Sequence, residues 1–241
     1  MDKIFLISRS IYNIVEAGKG MGKLSEDRCK LTQRYFIDSL KNQTDPDFKL
    51  FMFVGDEGNK TSRLIKGLHW GELDVEFLHI PGGIPTRNFP PARRRWTPED
   101  YDRSPEGLIR KHGHPMSSIM MRMDSDDWFA PGLIAHIKYT INQIEDPNFI
   151  INYQLSVQGN NGLLYRFHAR HSRRRTSAYI VLVQRQGERM SPYATNHTKM
   201  GRRFPAVYNV PPGYVFVVLH KENRVNKLRK DILLEAVLDK G

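Results

Sequence analysis

The chain has 241 residues, which fits one domain, and 39% of them are hydrophobic, enough for a sizeable core and too many for a disordered polymer. Its single cysteine, Cys29, excludes an internal disulfide framework and a cysteine-built zinc site. The formal net charge of +11 predicts attraction to polyanions: nucleic acid, an anionic membrane face or phosphorylated substrates.

The first apolar run, KIFLIS (3–8), reads as a buried strand that closes at Arg9. It is too short for a signal core or a membrane span, and no other segment reaches spanning length, so the sequence predicts a soluble, cytoplasmic protein. Residues 25–41 read as an amphipathic helix, with Ser25 as N-cap, Leu31, Tyr35 and Leu40 near helical spacing, and Cys29 as a half-buried helix residue. FKLFMFVGDE (48–57) is a second buried strand. Residues 61–68 form a short helix, and DVEFLHIP (74–81) is a third strand, stopped by Pro-Gly-Gly. Another helix is expected over 106–114, a fourth strand over 117–123, and a helix over 131–145 with Pro131 in its first turn.

This alternation predicts an α/β fold with a mainly parallel central sheet and helices on both faces. Ligands of such sheets bind beyond the carboxyl ends of the strands, where Arg9, Asp56 and Asp124 fall. The second half changes character. Segments 149–158, 162–170, 178–184 and 213–220 are strand-like, and 221–238 read as a closing helix, basic and then apolar. The expectation is a single domain over 1–241. Residues 1–146 would form a ligand-binding half, and 147–241 a β-rich half that completes the sheet.

The stretch RMDSDDWF, Arg122 to Phe129, packs three carboxylates into four positions at a strand end. Such crowding is costly without a cation, and oxygen ligands suit magnesium, manganese or calcium. Magnesium takes one or two protein carboxylates and completes its shell with substrate phosphates and water, so the cluster points to a metal-bridged diphosphate. The plainer alternative is that Asp126 or Asp127 caps the helix near Pro131.

These residues, with SRSIYN after the first strand, FKLFMFVGDE, AYIVLVQ, NHTKMG and VVLHKENRVNKLRK, resemble the nucleotide-sugar glycosyltransferases of the GT-A (Rossmann-like) fold. The longer match, Arg-x-Asp-x-Asp-Asp plus an aromatic, looks like the bacterial rhamnosyltransferase group. The resemblance implies a nucleoside-diphosphate-sugar donor and a divalent cation, Mn2+ or Mg2+. It implies that Asp124 contacts the donor ribose or the metal, beside Arg122, and that Asp126 and Asp127 hold the metal. Asp56 would face the nucleoside, Arg9 would line the nucleotide pocket, and His220 would reach the metal or diphosphate, with His197 as second candidate. The cation would act as a Lewis acid on the leaving diphosphate. The acidic base usual for an inverting enzyme has no clear counterpart: Glu188 lies in an expected turn and Asp100 in an insertion.

That insertion, 82–115, is long for a connection and carries Arg93, Arg94, Arg95 and Trp96. A second basic cluster holds Arg173, Arg174 and Arg175. Arginine interleaved with aromatics grips phosphate and stacks on bases. Together with the resemblance, this points to a polyanionic acceptor. One candidate is hydroxymethylated bases in duplex DNA, which bacteriophages modify in this way. The other is an anionic surface glycan at a membrane face, reached by peripheral contact. A non-catalytic basic nucleic-acid-binding protein is the reading from a different class. It would gain nothing from the carboxylates.

Overall fold

The computed structural model describes residues 3–9, 26–27, 29–55, 60–79, 105–114, 117–158, 164–167, 176–187, 190, 192, 197–218 and 234–237. Strands β1 (Ile4–Arg9), β2 (Phe48–Val54), β3 (Val75–His79) and β4 (Ile119–Asp124) form a parallel block in the order β4-β1-β2-β3. The chain runs outward from β1 through β2 to β3, then returns to place β4 on the other side of β1. The strand order therefore reverses between β1 and β4, which opens a crevice at their carboxyl ends.

Alternation along β1, β2 and β4 feeds two apolar layers. Leu6, Met52, Val54, Met121 and Met123 face a core completed by Phe36, Ile37 and Leu40 of helix α1 (26–27 and 29–41) and by Leu133, Ile134, Ile137 and Ile141 of α4 (Leu133–Gln143). Ile65 of α2 (Lys60–Lys66) joins the same layer. Phe5, Ile7, Phe51, Phe53 and Met120 face Leu108 and Ile109 of α3 (Pro105–Lys111). Burial on both faces explains why these strands read as continuous apolar runs.

Helix α1 is helical at 26–27 and 29–31, becomes π-helical over Thr32–Ile37 and returns to α over Asp38–Lys41. The wider turn rotates its face, so that Thr32, Phe36, Ile37 and Leu40 are buried while Leu31 and Tyr35, expected there, are only partly so. Cys29 is 5% exposed rather than half-buried, and burial, then the Glu26 charge, push its thiol pKa up.

The sheet as a whole is mixed, which corrects the expectation of a mainly parallel one. Beyond β4 the order continues through β8 (Ile180–Gln184), β6 (Asn148–Gln158), β7 (Leu164–Phe167) and β10 (Leu234–Val237), each joined antiparallel to the next. The two-residue strand β5 (Trp128–Phe129) pairs antiparallel with β9 (Ala206–Val218), and β9 runs parallel to β6. A third apolar layer joins Ile150, Ile180 and Leu182 to Met200 of the short helix α5 (His197–Met200).

Residues 234–237 form a strand against β7, not the end of a helix over 221–238. Leu234, Ala236 and Val237 there are compatible with either period, and pairing to the edge of β7 decides in favour of strand. Strand β9 also begins well before residue 213. It carries Pro211, Pro212 and Gly213 in a bulge, since Tyr153 opposes Val210 while Leu155 already opposes Val215. Gly213 has φ of +134°, a conformation essentially reserved to glycine.

Candidate functional site at the switch point

The β1–β4 register places Arg9 directly opposite Asp124 at the reversal of strand order. Arg9 is also the register partner of Phe53 on β2, and Val54 partners His79 on β3. The carboxyl edge of the parallel block thus runs Asp124, Arg9, Phe53 and Val54, His79. The His79 ring Nδ1 lies 2.7 Å from the carbonyl oxygen of Gly55, which ties the ends of β3 and β2 together.

Asp124 is three-quarters buried. Its Oδ1 stands 3.5 Å from Nη2 of Arg122, two residues back on β4, and its Oδ2 lies 3.5 Å from the hydroxyl of Tyr179. Both approaches are long, so they orient the carboxylate without saturating it. Tyr179 is itself buried and meets Phe129 edge-on at 5.9 Å, so the aromatic that follows the carboxylates packs beneath the one that contacts them. Nothing in the sequence marked Tyr179 as part of the site. Its only signal was its position at the start of AYIVLVQ.

After Asp124 the chain turns through buried Ser125 and partly exposed Asp126. Asp127 is 2% exposed, and its Oδ1 accepts the backbone N–H of Val218 at 2.9 Å. The three carboxylates therefore diverge: Asp124 lies against Arg122 and Tyr179, Asp126 sits in the turn, and Asp127 points to the last residue of β9. None of them caps α4 with its side chain. Gly132 occupies the cap position without a side-chain bond. Gln43, at the end of α1, takes that role from a distance. Its Oε1 accepts the Ile134 N–H at 3.1 Å, while its Nε2 donates to the carbonyl oxygens of Ala130 and Ser39.

An oxygen-only donor set suits a hard divalent cation. Among the described residues no group of three His, Cys, Asp or Glu side chains is arranged to hold a metal. One Asp127 oxygen is engaged by the Val218 N–H, while Asp124 and Asp126 keep part of their surface open.

Several sequence candidates lie outside the described residues: Asp56, His220, Arg93, Arg94, Arg95, Trp96, Arg173, Arg174 and Arg175. His197 opens α5, and Arg9 is placed by its backbone. No helix among the described residues is long and apolar enough to cross a membrane.

Nearby, His136 of α4 stacks on Tyr214 at 4.2 Å between ring centres, and its Nδ1 lies 2.9 Å from the Tyr153 hydroxyl. Burial lowers the His136 pKa and, with a smaller contribution from Tyr214, raises that of Tyr153 well above its ordinary range. This group braces the β9 bulge against α4.

No family model matches the chain, and no curated protein does. Solved structures do. The crystal structure of residues 1–349 of S. aureus TarS in complex with UDP-GlcNAc is similar to it at a TM-score of 0.50 and 9% identity, covering 92% of this chain and 60% of that one. The crystal structure of S. aureus TarS is similar at a TM-score of 0.51 and 10% identity, covering 90% of this chain and 37% of that one. The chain thus spans 60% or less of the length of these matched structures. The likeness is one of fold, an α/β architecture with a mixed sheet.

Proposed function

We propose that the protein transfers a sugar from a nucleoside-diphosphate donor to a hydroxyl group on a polyanionic acceptor. The observation that carries this reading is the turn Asp124–Asp127, which starts at the switch point of a sheet that shares its fold with TarS. One of the matched TarS crystal structures is a complex with UDP-GlcNAc, a nucleoside-diphosphate sugar.

The chemical demand is stabilisation of the negative charge that develops on a departing nucleoside diphosphate. Asp124 and Asp126 would hold a divalent cation, which when bound supplies Lewis-acid stabilisation of the diphosphate. Arg122, largely buried beside Asp124, fixes that carboxylate and adds positive charge to the crevice. Arg9, opposite Asp124, and Asp56 would meet the nucleoside, with His220 beside the diphosphate.

The net charge of +11 favours an acceptor that is itself a polyanion. Arg93, Arg94, Arg95, Trp96, Arg173, Arg174, Arg175 and His197 are the residues proposed to meet it. Hydroxymethylated duplex DNA is the acceptor to test first, and an anionic glycan is the second.

Calorimetric titration with UDP, GDP, CDP and dTDP, each with Mn2+ and with EDTA, tests the donor half. Metal-dependent binding of one nucleotide, abolished by Asp126→Asn, supports the reading. Failure of all four to bind would overturn it.

A further inference from the structure

Of the three clustered carboxylates, Asp127 differs in kind. It is 2% exposed, whereas Asp124 and Asp126 keep part of their surface open. Its Oδ1 accepts the Val218 N–H across 91 residues of sequence. Val218 ends β9, whose pairing with β5 extends only through Trp128–Phe216 and Phe129–Val215. On the helix side of that ladder the Ala130 N–H donates to the Tyr214 carbonyl oxygen at 2.9 Å. On the side of the carboxylate turn the Asp127–Val218 bond lies just beyond the ladder and ties turn to sheet. The Trp128 and Phe216 rings, 4.6 Å apart between centres, pack across the same ladder.

We propose that Asp127 is a positioning residue rather than a metal ligand. It anchors the carboxylate turn to the end of β9 and so sets the attitude at which Asp124 and Asp126 are presented. The proposal rests on the glycosyltransferase reading for its consequence in turnover, but not for the anchor itself. A carboxylate committed to a buried backbone N–H makes a charge-assisted hydrogen bond that holds a turn well, and it has less to offer a cation. The role asks for an acceptor atom at Oδ1 and not for a negative charge. Asparagine supplies that acceptor and alanine does not.

The test compares Asp127→Asn, Asp127→Ala and Asp126→Asn in the full chain. Two readouts are needed: amide hydrogen exchange at Val218 and at 125–127, and donor turnover in Mn2+. In Asp127→Asn, Val218 should stay protected and turnover should stay within about threefold of wild type, because the acceptor is kept. Asp127→Ala should expose the Val218 amide and lower turnover by about tenfold or more. Asp126→Asn should leave Val218 protected and lower turnover by about a hundredfold or more, as loss of a metal ligand does. Asp127→Asn losing turnover as Asp126→Asn does, with Val218 still protected, would make Asp127 a ligand and overturn the proposal while leaving the glycosyltransferase reading intact. If wild type turns over no donor, that reading fails and the exchange data alone decide. Protection lost in Asp127→Ala and kept in Asp127→Asn then supports the anchor, and unchanged protection in both overturns it.

Discussion

Tyr179 sets its hydroxyl 3.5 Å from Oδ2 of Asp124 while its ring packs against Phe129, so one side chain touches both the carboxylate and the core below it. The two contacts differ in weight. An O–H to oxygen distance of 3.5 Å is well past the usual 2.5–3.0 Å range, whereas the ring is almost wholly buried. Tyr179→Phe should therefore change the unfolding free energy by no more than about 0.5 kcal/mol. Tyr179→Ala should cost about 3–5 kcal/mol, as removal of a buried aromatic does. Urea unfolding of both variants, with the slope checked for constancy, measures the difference.

Gln43 joins α1 to the chain that leaves the carboxylate turn. Replacement by alanine removes the acceptor for the Ile134 N–H and the donor to Ala130 and Ser39 together. Gln43 is 7% exposed, so water cannot easily substitute. Gln43→Ala should destabilise the protein by about 1–3 kcal/mol, read as a lower midpoint in thermal or urea unfolding. Gln43→Glu keeps the acceptor and turns the two donor contacts into repulsions, so it should not rescue the loss.

The parallel block was legible in the sequence because its strands are buried on both faces. FKLFMFV can hardly be anything but an interior strand, and the residues closing β1 and β4 marked the carboxyl edge. The three carboxylates were visible as a cluster, but their division of labour was not. The bond from Asp127 to Val218 and the cap from Gln43 to Ile134 join residues about ninety positions apart, and no local pattern records them. The mixed sheet escaped for a related reason: AYIVLVQ reads the same whether its neighbours run parallel or antiparallel. The strand at 234–237, LEAV, reads equally as the end of a helix because four residues carry no decisive period of their own.

Acid should loosen the β9 bulge before it affects the rest of the fold. Burial holds the His136 pKa below its ordinary 6.5, and the pairing that burial favours has the Tyr153 hydroxyl donate to an unprotonated Nδ1. The unfolded chain then takes up a proton at a higher pH than the folded chain does. The contribution of neutral His136 is complete above pH 6.5 and is lost as the pH falls from there through the folded pKa. Stability measured between pH 8 and about pH 5 should decline in that window, and His136→Phe should flatten the decline.

Gly213 has nothing within 4 Å of where a Cβ would stand, so its substitution tests conformation alone. At φ of +134° an alanine is strained, and Gly213→Ala should cost about 1–3 kcal/mol without any steric clash. A lowered unfolding midpoint, with the fastest added amide exchange near the bulge, would agree with this, and an unchanged midpoint would not.

If the turn beyond Asp124 serves sugar transfer, the protein turns over a nucleotide-sugar donor. Purified protein is incubated with Mn2+ and a panel of nucleotide sugars, and nucleoside diphosphate release is followed without acceptor, with hydroxymethylated duplex DNA and with unmodified DNA. Release is expected from one donor, rising with a polyanionic hydroxyl acceptor, stopping on chelation of the metal and lost in Asp126→Asn. No release from any donor, together with tight, salt-sensitive DNA binding that Asp126→Asn leaves unchanged, would contradict it and leave a basic nucleic-acid-binding protein.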